Sequence, residues 1–214
     1  MKNTQTKLPK DTWVVATWDE FIQAADDPAL QHAKGYYYHG KMLIEAMGTG
    51  YDHSCDNGII YLAVNLYCIV KSIPVNGLIS CSFRKAGLWE CQPDIAYYIG
   101  DRAQSIPRGT KIVDLNQYSP PDLAIEVSDS TLSDDLGNKR LLYEEVPVRE
   151  YWVVDVQAAV VRAFAVGDGG SRRISESLVL PGLAISLLET ALSRSREEDQ
   201  TQIGAWLMQQ FQRN

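Results

Sequence analysis

Apolar residues recur every three to four positions in two stretches of the chain, a spacing typical of an amphipathic helix. The longer stretch runs from His53 to Lys71, and Pro74 follows its end. In the shorter stretch, Thr17 can cap the first turn and Glu20 takes the reciprocal capping position. Thr131 can cap a further helix. The pattern therefore predicts helices over residues 17–26, 53–71 and 131–145.

Short runs rich in β-branched and aromatic residues alternate with turn signals and predict strands. They cover residues 36–41, 42–47, 77–83, 94–99, 123–127, 151–156 and 160–166. The first two form a hairpin that ends at Gly48-Thr49-Gly50, and residues 123–127 are apolar enough for a strand buried on both faces. Residues 183–192 fit either a strand or a helix.

This order of elements predicts an α+β fold with a mixed central sheet flanked by helices. We expect a single domain over residues 1–192 and a polar helical tail over residues 193–214. A long Pro- and Gly-rich loop is expected over residues 100–121, and loops of that length are uncommon unless they are functional or mobile.

Composition and charge narrow the class of protein. Of the 214 residues, 45% are hydrophobic and 22% charged, which excludes disordered and fibrous chains. No apolar run reaches the roughly 18–20 residues of a membrane span. The polar stretch from Met1 to Asp11 precedes no apolar run, so no secretory signal is expected and the protein is expected to be cytoplasmic. The net charge of −7 predicts little unspecific attraction to nucleic-acid phosphates, unless basic residues gather in one cleft or a divalent cation supplies charge.

The cysteines and histidines do not suggest a zinc site. The four cysteines contain no CxxC pair, and the three histidines add no zinc-ligand spacing. The cysteines are therefore interpreted as reduced thiols of the core. Phosphate-binding glycine loops and a GxSxG nucleophile motif are also absent from the sequence.

Glu126 is the least ordinary residue, because it lies between Ile125 and Val127 inside the most apolar predicted strand. A buried carboxylate is costly unless a cation or several hydrogen-bond donors meet it. It could pair with an arginine or lie at an exposed strand end, or it could bind a metal ion. Asp122 lies about 13 Å further along the same strand, too far to share an ion. Asp94 begins another strand, and it can converge with Glu126 if the two strands are neighbours at about 4.8 Å.

The helix that follows this strand carries further polar residues. Asp135, Lys139 and Tyr143 recur at every fourth position and share one helix face. A solvated face would explain Asp135 and Lys139. Alternatively, the helix packs back on the sheet and returns the Lys139 ammonium towards the carboxylates.

These residues resemble a known family. Asp94, Glu126-Val127-Ser128 and Lys139 are similar to the PD-(D/E)xK nuclease superfamily in the form whose lysine has moved from the strand to the helix. The stretch from Pro121 to Thr131, the Asp135-Lys139-Tyr143 spacing and Arg149-Glu-Tyr-Trp-Val-Val-Asp155 resemble the Uma-type "putative restriction endonuclease" family, long filed as a domain of unknown function. The resemblance runs from about Thr17 to Leu192.

The resemblance implies a role for each matching residue and a restriction-endonuclease-like fold. Asp94 and Glu126 match the acidic metal ligands and Lys139 the catalytic lysine, with Ser128 where the standard pattern has lysine. Residues with supporting matches are Glu45, His53, Asp135 and Tyr143. The oxygen ligands would suit Mg²⁺, or Mn²⁺.

The function that follows is a metal-dependent endonuclease that hydrolyses phosphodiester bonds in DNA. The alternative is a catalytically weak or inactive nuclease fold that serves as a nucleic-acid-binding or protein-interaction module. The missing strand lysine and the acidic net charge favour this alternative, whereas Asp94, Glu126 and Lys139 favour the enzyme. No membrane partner is expected, and a homodimer is expected because the sheet and long helix leave apolar surface to cover.

Overall fold

The computed structural model of the protein describes residues 11–47 and 50–213. The polar stretch before Asp11 and most of the expected turn at Gly48-Thr49-Gly50 lie outside the described residues. The strands are β1 (Val14–Val15), β2 (Ala33–Tyr38), β3 (Lys41–Ala46), β4 (Val75–Ile79), β5 (Phe83–Lys85), β6 (Trp89–Cys91), β7 (Ile95–Ile99), β8 (Val113–Asp114), β9 (Leu123–Ser128), β10 (Glu150–Asp155), β11 (Val160–Gly167) and β12 (Gly170–Arg173). The helices are α1 (Trp18–Ala25), α2 (Tyr51–Val70), α3 (Leu132–Asp135), α4 (Asn138–Glu145), α5 (Ile185–Arg194) and α6 (Gln200–Arg213).

A mixed six-stranded sheet forms the centre of the molecule, in the order β12-β11-β10-β9-β7-β4. Strands β9 and β10 are parallel, and helices α3 and α4 connect them; the other neighbours in this sheet are antiparallel. The predicted α+β class with a mixed central sheet is therefore confirmed.

A second six-stranded sheet was not anticipated from the sequence. Its order is β1-β3-β2-β6-β5-β8, built around the predicted β2–β3 hairpin. The strand predicted over residues 77–83 is divided between the two sheets, since β4 ends at Ile79 and β5 begins at Phe83. Between them, Ser80 has a φ of 51°, a left-handed conformation that ends the extended chain.

Helices cover the central sheet on one side, where α2, α5 and α6 share an apolar core with β7, β9, β10 and β11. Residues 183–192, which fitted either structure, are helical within α5. The tail helix α6 buries Ile203, Leu207 and Phe211, and the boundary expected at residue 192 falls inside α5. No helix among the described residues has the length and apolar character needed to cross a bilayer.

A second core joins the other face of the central sheet to α4 and the second sheet. The predicted helix 131–145 is broken at Leu136-Gly137 into α3 and α4. A side chain at Gly137 would meet the Ser133 carbonyl oxygen at 2.8 Å. The shorter predicted helix is confirmed as α1, with the capping box of Thr17 and Glu20 in place. All four cysteines are free thiols, and Cys68 and Cys91 are buried.

Candidate active site

Strands β7 and β9 bring Asp94 and Glu126 together. The strands are antiparallel neighbours with Ile95 opposite Ile125, so the register continues to Asp94 opposite Glu126. Residues that face each other in this way project from the same side of a sheet. The Val127 amide donates a hydrogen bond of 2.8 Å to Asp94 Oδ2, which fixes that carboxylate against β9.

Strands β2 and β3 contribute Lys34, Tyr36 and Glu45. Lys34 lies opposite Glu45 in the hairpin register, and Tyr36 is two residues further along the same face. Lys34 Nζ lies 2.6 Å from Asp94 Oδ1 and 3.6 Å from Glu126 Oε2. The ammonium therefore occupies the space between the two carboxylates.

Sequence reasoning missed Lys34 and Tyr36. The predicted strand began at Tyr36, three residues after the start of β2 at Ala33, and left Lys34 outside any element. Continuing the hairpin register from the turn at His39-Gly40 would have placed Lys34 opposite Glu45. That register is the sequence signal that could have found it.

Helix α2 brings His53 to the other side of Asp94. His53 lies in the first turn, and its Nε2 is 3.5 Å from Asp94 Oδ1. The Asp94 carboxylate stabilises the imidazolium form, and so the pKa of His53 is raised although its partial burial acts in the opposite direction. Asp94 Oδ1 thus has two basic neighbours, Lys34 and His53.

Asp135, Lys139 and Tyr143 point into the site although the helix is broken between the first two. Lys139 Nζ lies 2.8 Å from Asp135 Oδ1 and 2.5 Å from Glu45 Oε2. With only 1% of its surface exposed, Lys139 does not belong to a solvated helix face. The ammonium also lies 4.5 Å from the centre of the Tyr36 ring.

Short side chains hold Asp135 in place. Ser128, at the position of the superfamily's strand lysine, donates a hydrogen bond to Asp135 Oδ2, and Thr131 donates another at 2.6 Å. The Tyr151 hydroxyl donates to the Asp135 carbonyl oxygen at 2.9 Å. Ser128 thus takes no part in an ion pair and instead positions the acid that holds Lys139.

Glu126 is anchored on one oxygen only. Tyr143 donates a 2.9 Å hydrogen bond to Glu126 Oε1, and the Tyr36 hydroxyl lies 3.0 Å from the same oxygen. Glu126 Oε2 has no hydrogen-bond partner among the described residues. Burial raises the pKa of Glu126 to about 8, although Lys139 and Lys34 act against this shift. A cation that reached Oε2 would favour the ionised form.

For Asp94 and Lys139, unlike Glu126, the charged neighbours outweigh burial in setting the pKa. Burial acts to raise the pKa of Asp94, but Lys34 and His53 outweigh it and hold this pKa well below its ordinary value. Burial acts to lower the pKa of Lys139, but the Glu126 and Asp135 carboxylates outweigh it and raise the pKa. The site therefore holds a carboxylate and an ammonium beside Glu126, whose carboxyl group has a raised pKa.

A cavity of about 410 Å³ opens onto this cluster. Its basic lining residues are Lys34, His53 and Lys139, all of which are buried. Asp11 and Asp129, which also line it, are exposed. Among residues 11–47 and 50–213, no group of three or more His, Cys, Asp or Glu side chains is arranged to hold a metal ion.

Asp122, the other acidic residue considered on the strand of Glu126, lies outside the cluster. Asp122 is at the opposite end of β9, where it forms an ion pair with Arg102 and accepts a hydrogen bond from the Ile99 amide. It has a structural role there. This position agrees with the expectation that Asp122 lies too far along the strand from Glu126 to share an ion with it.

Comparison with known proteins identifies the family. A family model described as "Uma2: Putative restriction endonuclease" matches residues 18–197. The chain belongs to the Uma2 family. The resemblance inferred from Asp94, Glu126, Lys139 and their neighbours is therefore confirmed. The search of curated proteins gave no match.

A solved structure has the same fold as this Uma2 family member. It is the crystal structure of "a putative nuclease belonging to DUF820 from Anabaena variabilis ATCC 29413". The TM-score is 0.56 and the sequences are 20% identical, over 82% of this chain and 98% of the other. At this identity the likeness concerns the fold, and the chemistry has to be argued from the side chains.

Proposed function

We propose that the protein is a metal-dependent endonuclease that hydrolyses phosphodiester bonds in DNA. The observation that carries the proposal is the convergence of Asp94 and Glu126 on one cation, the Lys34 ammonium, beside an open cavity. Membership of a family described as "Putative restriction endonuclease" supports the same chemistry.

The proposed metal ligands are Asp94 and Glu126, and the ion is Mg²⁺ or Mn²⁺. Glu126 Oε2 is buried and has no hydrogen-bond partner within the described chain, so it has an unused acceptor for a cation. Mg²⁺ prefers oxygen ligands and usually keeps several waters, so two carboxylates suffice as protein ligands. The residues present therefore fit the ion. When bound, it would polarise the scissile phosphate and acidify a water.

The catalytic residue proposed beside the metal ligands is Lys139. Its ammonium lines the cavity and is held between Glu45 and Asp135, so it stays charged and fixed in direction. Such a group can orient the attacking water and offset the charge that develops on the phosphate. Tyr143 positions Glu126 through its hydrogen bond, and His53 supports Asp94.

A second candidate function is a catalytically weak or inactive nuclease fold that binds nucleic acid or another protein. The acidic side chains at the cavity favour the protein-binding form of this alternative, because Asp11, Asp129 and Asp134 would repel a polyanion. Metal binding separates the two functions, since an inactive scaffold has no need of a cation at Asp94 and Glu126.

We propose that the protein is a homodimer. The supporting observation is that several large apolar side chains are solvent-exposed, with Val15 87%, Tyr51 82% and Ile69 69% exposed. Burial of such side chains between copies would remove apolar surface from water. Light scattering at micromolar concentration tests this, and a single species near the 23.9 kDa of one chain would contradict it.

The nuclease proposal is tested by incubating supercoiled plasmid with the protein in Mg²⁺, in Mn²⁺ and in EDTA. We expect nicked or linear product only with a divalent ion. Asp94→Asn and Glu126→Gln should abolish cleavage and weaken Mn²⁺ binding in calorimetry. Asp129→Asn, an exposed carboxylate of the same cavity, is the matched control and should retain both. An intact plasmid together with no heat of metal binding would exclude this nuclease mechanism.

A further inference from the structure

Lys34 holds the position at which a bridging cation is expected. Its ammonium is 2.6 Å from Asp94 Oδ1 and 3.6 Å from Glu126 Oε2, and the residue is 2% exposed. We propose that Lys34 is a tethered counter-ion that occupies the metal position in the metal-free protein and leaves it when the metal binds. This inference rests on the proposed metal-dependent function and assigns Lys34 a role as a positioning residue.

The need for a counter-ion follows from the sheet. Asp94 and Glu126 face each other from neighbouring strands, and both are buried. Whenever Glu126 is ionised, two like charges face each other in the sheet and destabilise it, and burial makes each unpaired carboxylate more costly. A lysine from the second sheet satisfies this pair without any metal, so the protein can fold before the ion arrives.

The same position cannot hold both cations. An ammonium and a divalent ion in contact with the same carboxylate oxygens would repel each other at short range, where the interior screens charge weakly. Metal binding therefore requires the Lys34 ammonium to withdraw from Asp94 Oδ1 and Glu126 Oε2. The free energy of that withdrawal is subtracted from the free energy of metal binding.

The structure offers the displaced ammonium a place to go. Glu45 is the direct partner of Lys34 across the β2–β3 hairpin, and both residues line the cavity. A flexible four-carbon side chain can turn within such a space while its charge stays beside a carboxylate. Lys34 thus remains in the site after metal binding.

Lys139 differs from Lys34 in the carboxylates that its ammonium contacts. Its ammonium is bound by Glu45 and Asp135 and lies over the Tyr36 ring. Removing either lysine takes one positive charge from the same cavity. Only the removal of Lys34 also empties the proposed metal position, which makes Lys139→Met a charge-matched control.

The test is calorimetric titration of the metal-free full-length protein with Mn²⁺, for the wild type, Lys34→Met, Lys139→Met and Lys34→Arg. We expect Lys34→Met to bind Mn²⁺ about tenfold more tightly than the wild type, because no competing ammonium has to leave. Lys139→Met should gain much less affinity, and Lys34→Arg should gain none. Unchanged or weaker binding by Lys34→Met, or an equal gain in Lys139→Met, would overturn the proposal.

Thermal unfolding gives a second readout that does not depend on cleavage. In EDTA, Lys34→Met should unfold at a lower temperature than the wild type, and Mn²⁺ should raise its unfolding temperature more than that of the wild type. If Lys34→Met fails to fold in EDTA, Mn²⁺ should restore the fold, and failure to do so counts against the counter-ion role.

The metal-dependent function and the counter-ion role of Lys34 are contradicted by different results. If neither the wild type nor Lys34→Met binds Mn²⁺, the metal site of the proposed function is wrong, and the counter-ion role is wrong with it. If the wild type binds and Lys34→Met binds no more tightly, only the counter-ion role is wrong. Binding by Lys34→Met alone would support the competition directly.

Discussion

Lys139 Nζ lies 2.5 Å from Glu45 Oε2 and thereby joins helix α4 to the hairpin strand β3 across the cavity. A second carboxylate, Asp135, holds the same ammonium from the preceding helix at 2.8 Å. Lys139 is therefore a buried cation shared by three elements of the fold. Its substitution will affect stability as well as any chemistry.

Lys139→Met should abolish metal-dependent plasmid cleavage and also lower the free energy of unfolding by about 3 kcal/mol, because two buried carboxylates lose their partner. Lys139→Arg should lose most cleavage, since a planar guanidinium does not replace a compact ammonium. Urea unfolding and cleavage well below the unfolding temperature separate the two effects. Lys41→Met, an exposed lysine of the same hairpin, is the control. Full cleavage by folded Lys139→Met would move the catalytic assignment to another residue.

Glu126 should make the metal-free protein less stable as the pH rises. Its pKa is about 8 in the folded protein, against an ordinary value of 4.5, so the folded state retains a proton that the unfolded state releases between these values. The contribution of Glu126 to stability is thus fully present below pH 4.5 and is lost as the pH approaches 8. The groups that act on the Glu126 carboxyl are Lys34, Tyr36, Asp94, Asp135, Lys139 and Tyr143.

Glu126→Gln tests this dependence, because an amide keeps the acceptor for Tyr143 and carries no charge at any pH. In EDTA at pH 8, we expect the variant to be more stable than the wild type by roughly 2 kcal/mol, from the conversion of pKa shifts into free energy discounted for relaxation of the site. At pH 5 the two proteins should be similar. Urea unfolding at both pH values measures the difference, and parallel pH profiles would contradict the assignment.

The sequence allowed the convergence of Asp94 and Glu126 to be predicted, but not the side chains that surround them. Glu126 stood out because it interrupts an apolar strand and Asp94 because it begins one, and strand spacing limited which acids could meet. Lys34 could not be placed in the same way, since its contact with Asp94 joins residues 60 positions apart in two different sheets. The second sheet itself is made mostly of strands of two or three residues, too short to show alternation.

Gly77 in the edge strand β4 should not tolerate a side chain. A Cβ atom there would lie 2.7 Å from Tyr97 Cε1 and 2.8 Å from Tyr61 Cε2, in a stack formed by those two rings. Overpacking of this kind costs about 1–3 kcal/mol, so Gly77→Ala should lower the unfolding temperature. Gly167→Ala, where a Cβ meets nothing within 4 Å, is the control. Equal unfolding temperatures for the two variants would show that the rings move aside at little cost.

Arg196 should stabilise the packing of the C-terminal segment against helix α2. Its guanidinium makes two hydrogen bonds to Asp56 of α2, at 2.6 and 2.7 Å, and a third to the Val156 carbonyl oxygen at 2.8 Å. Asp56 is 0% exposed, so Arg196→Met leaves a buried carboxylate unpaired. We expect a loss of about 3 kcal/mol or more in urea unfolding.

Arg194→Met is the matched control for Arg196, because Arg194 also forms an ion pair, with Glu198 at 2.7 Å, but its carboxylate partner is partly exposed. Ion pairs between exposed or partly exposed side chains contribute only about 0.2–1 kcal/mol. The double variant Asp56→Asn with Arg196→Met should recover part of the loss, since no buried charge then remains. If Arg196→Met costs no more than Arg194→Met, then the apolar contacts of Ile203, Leu207 and Phe211 hold α6 in place without the ion pair.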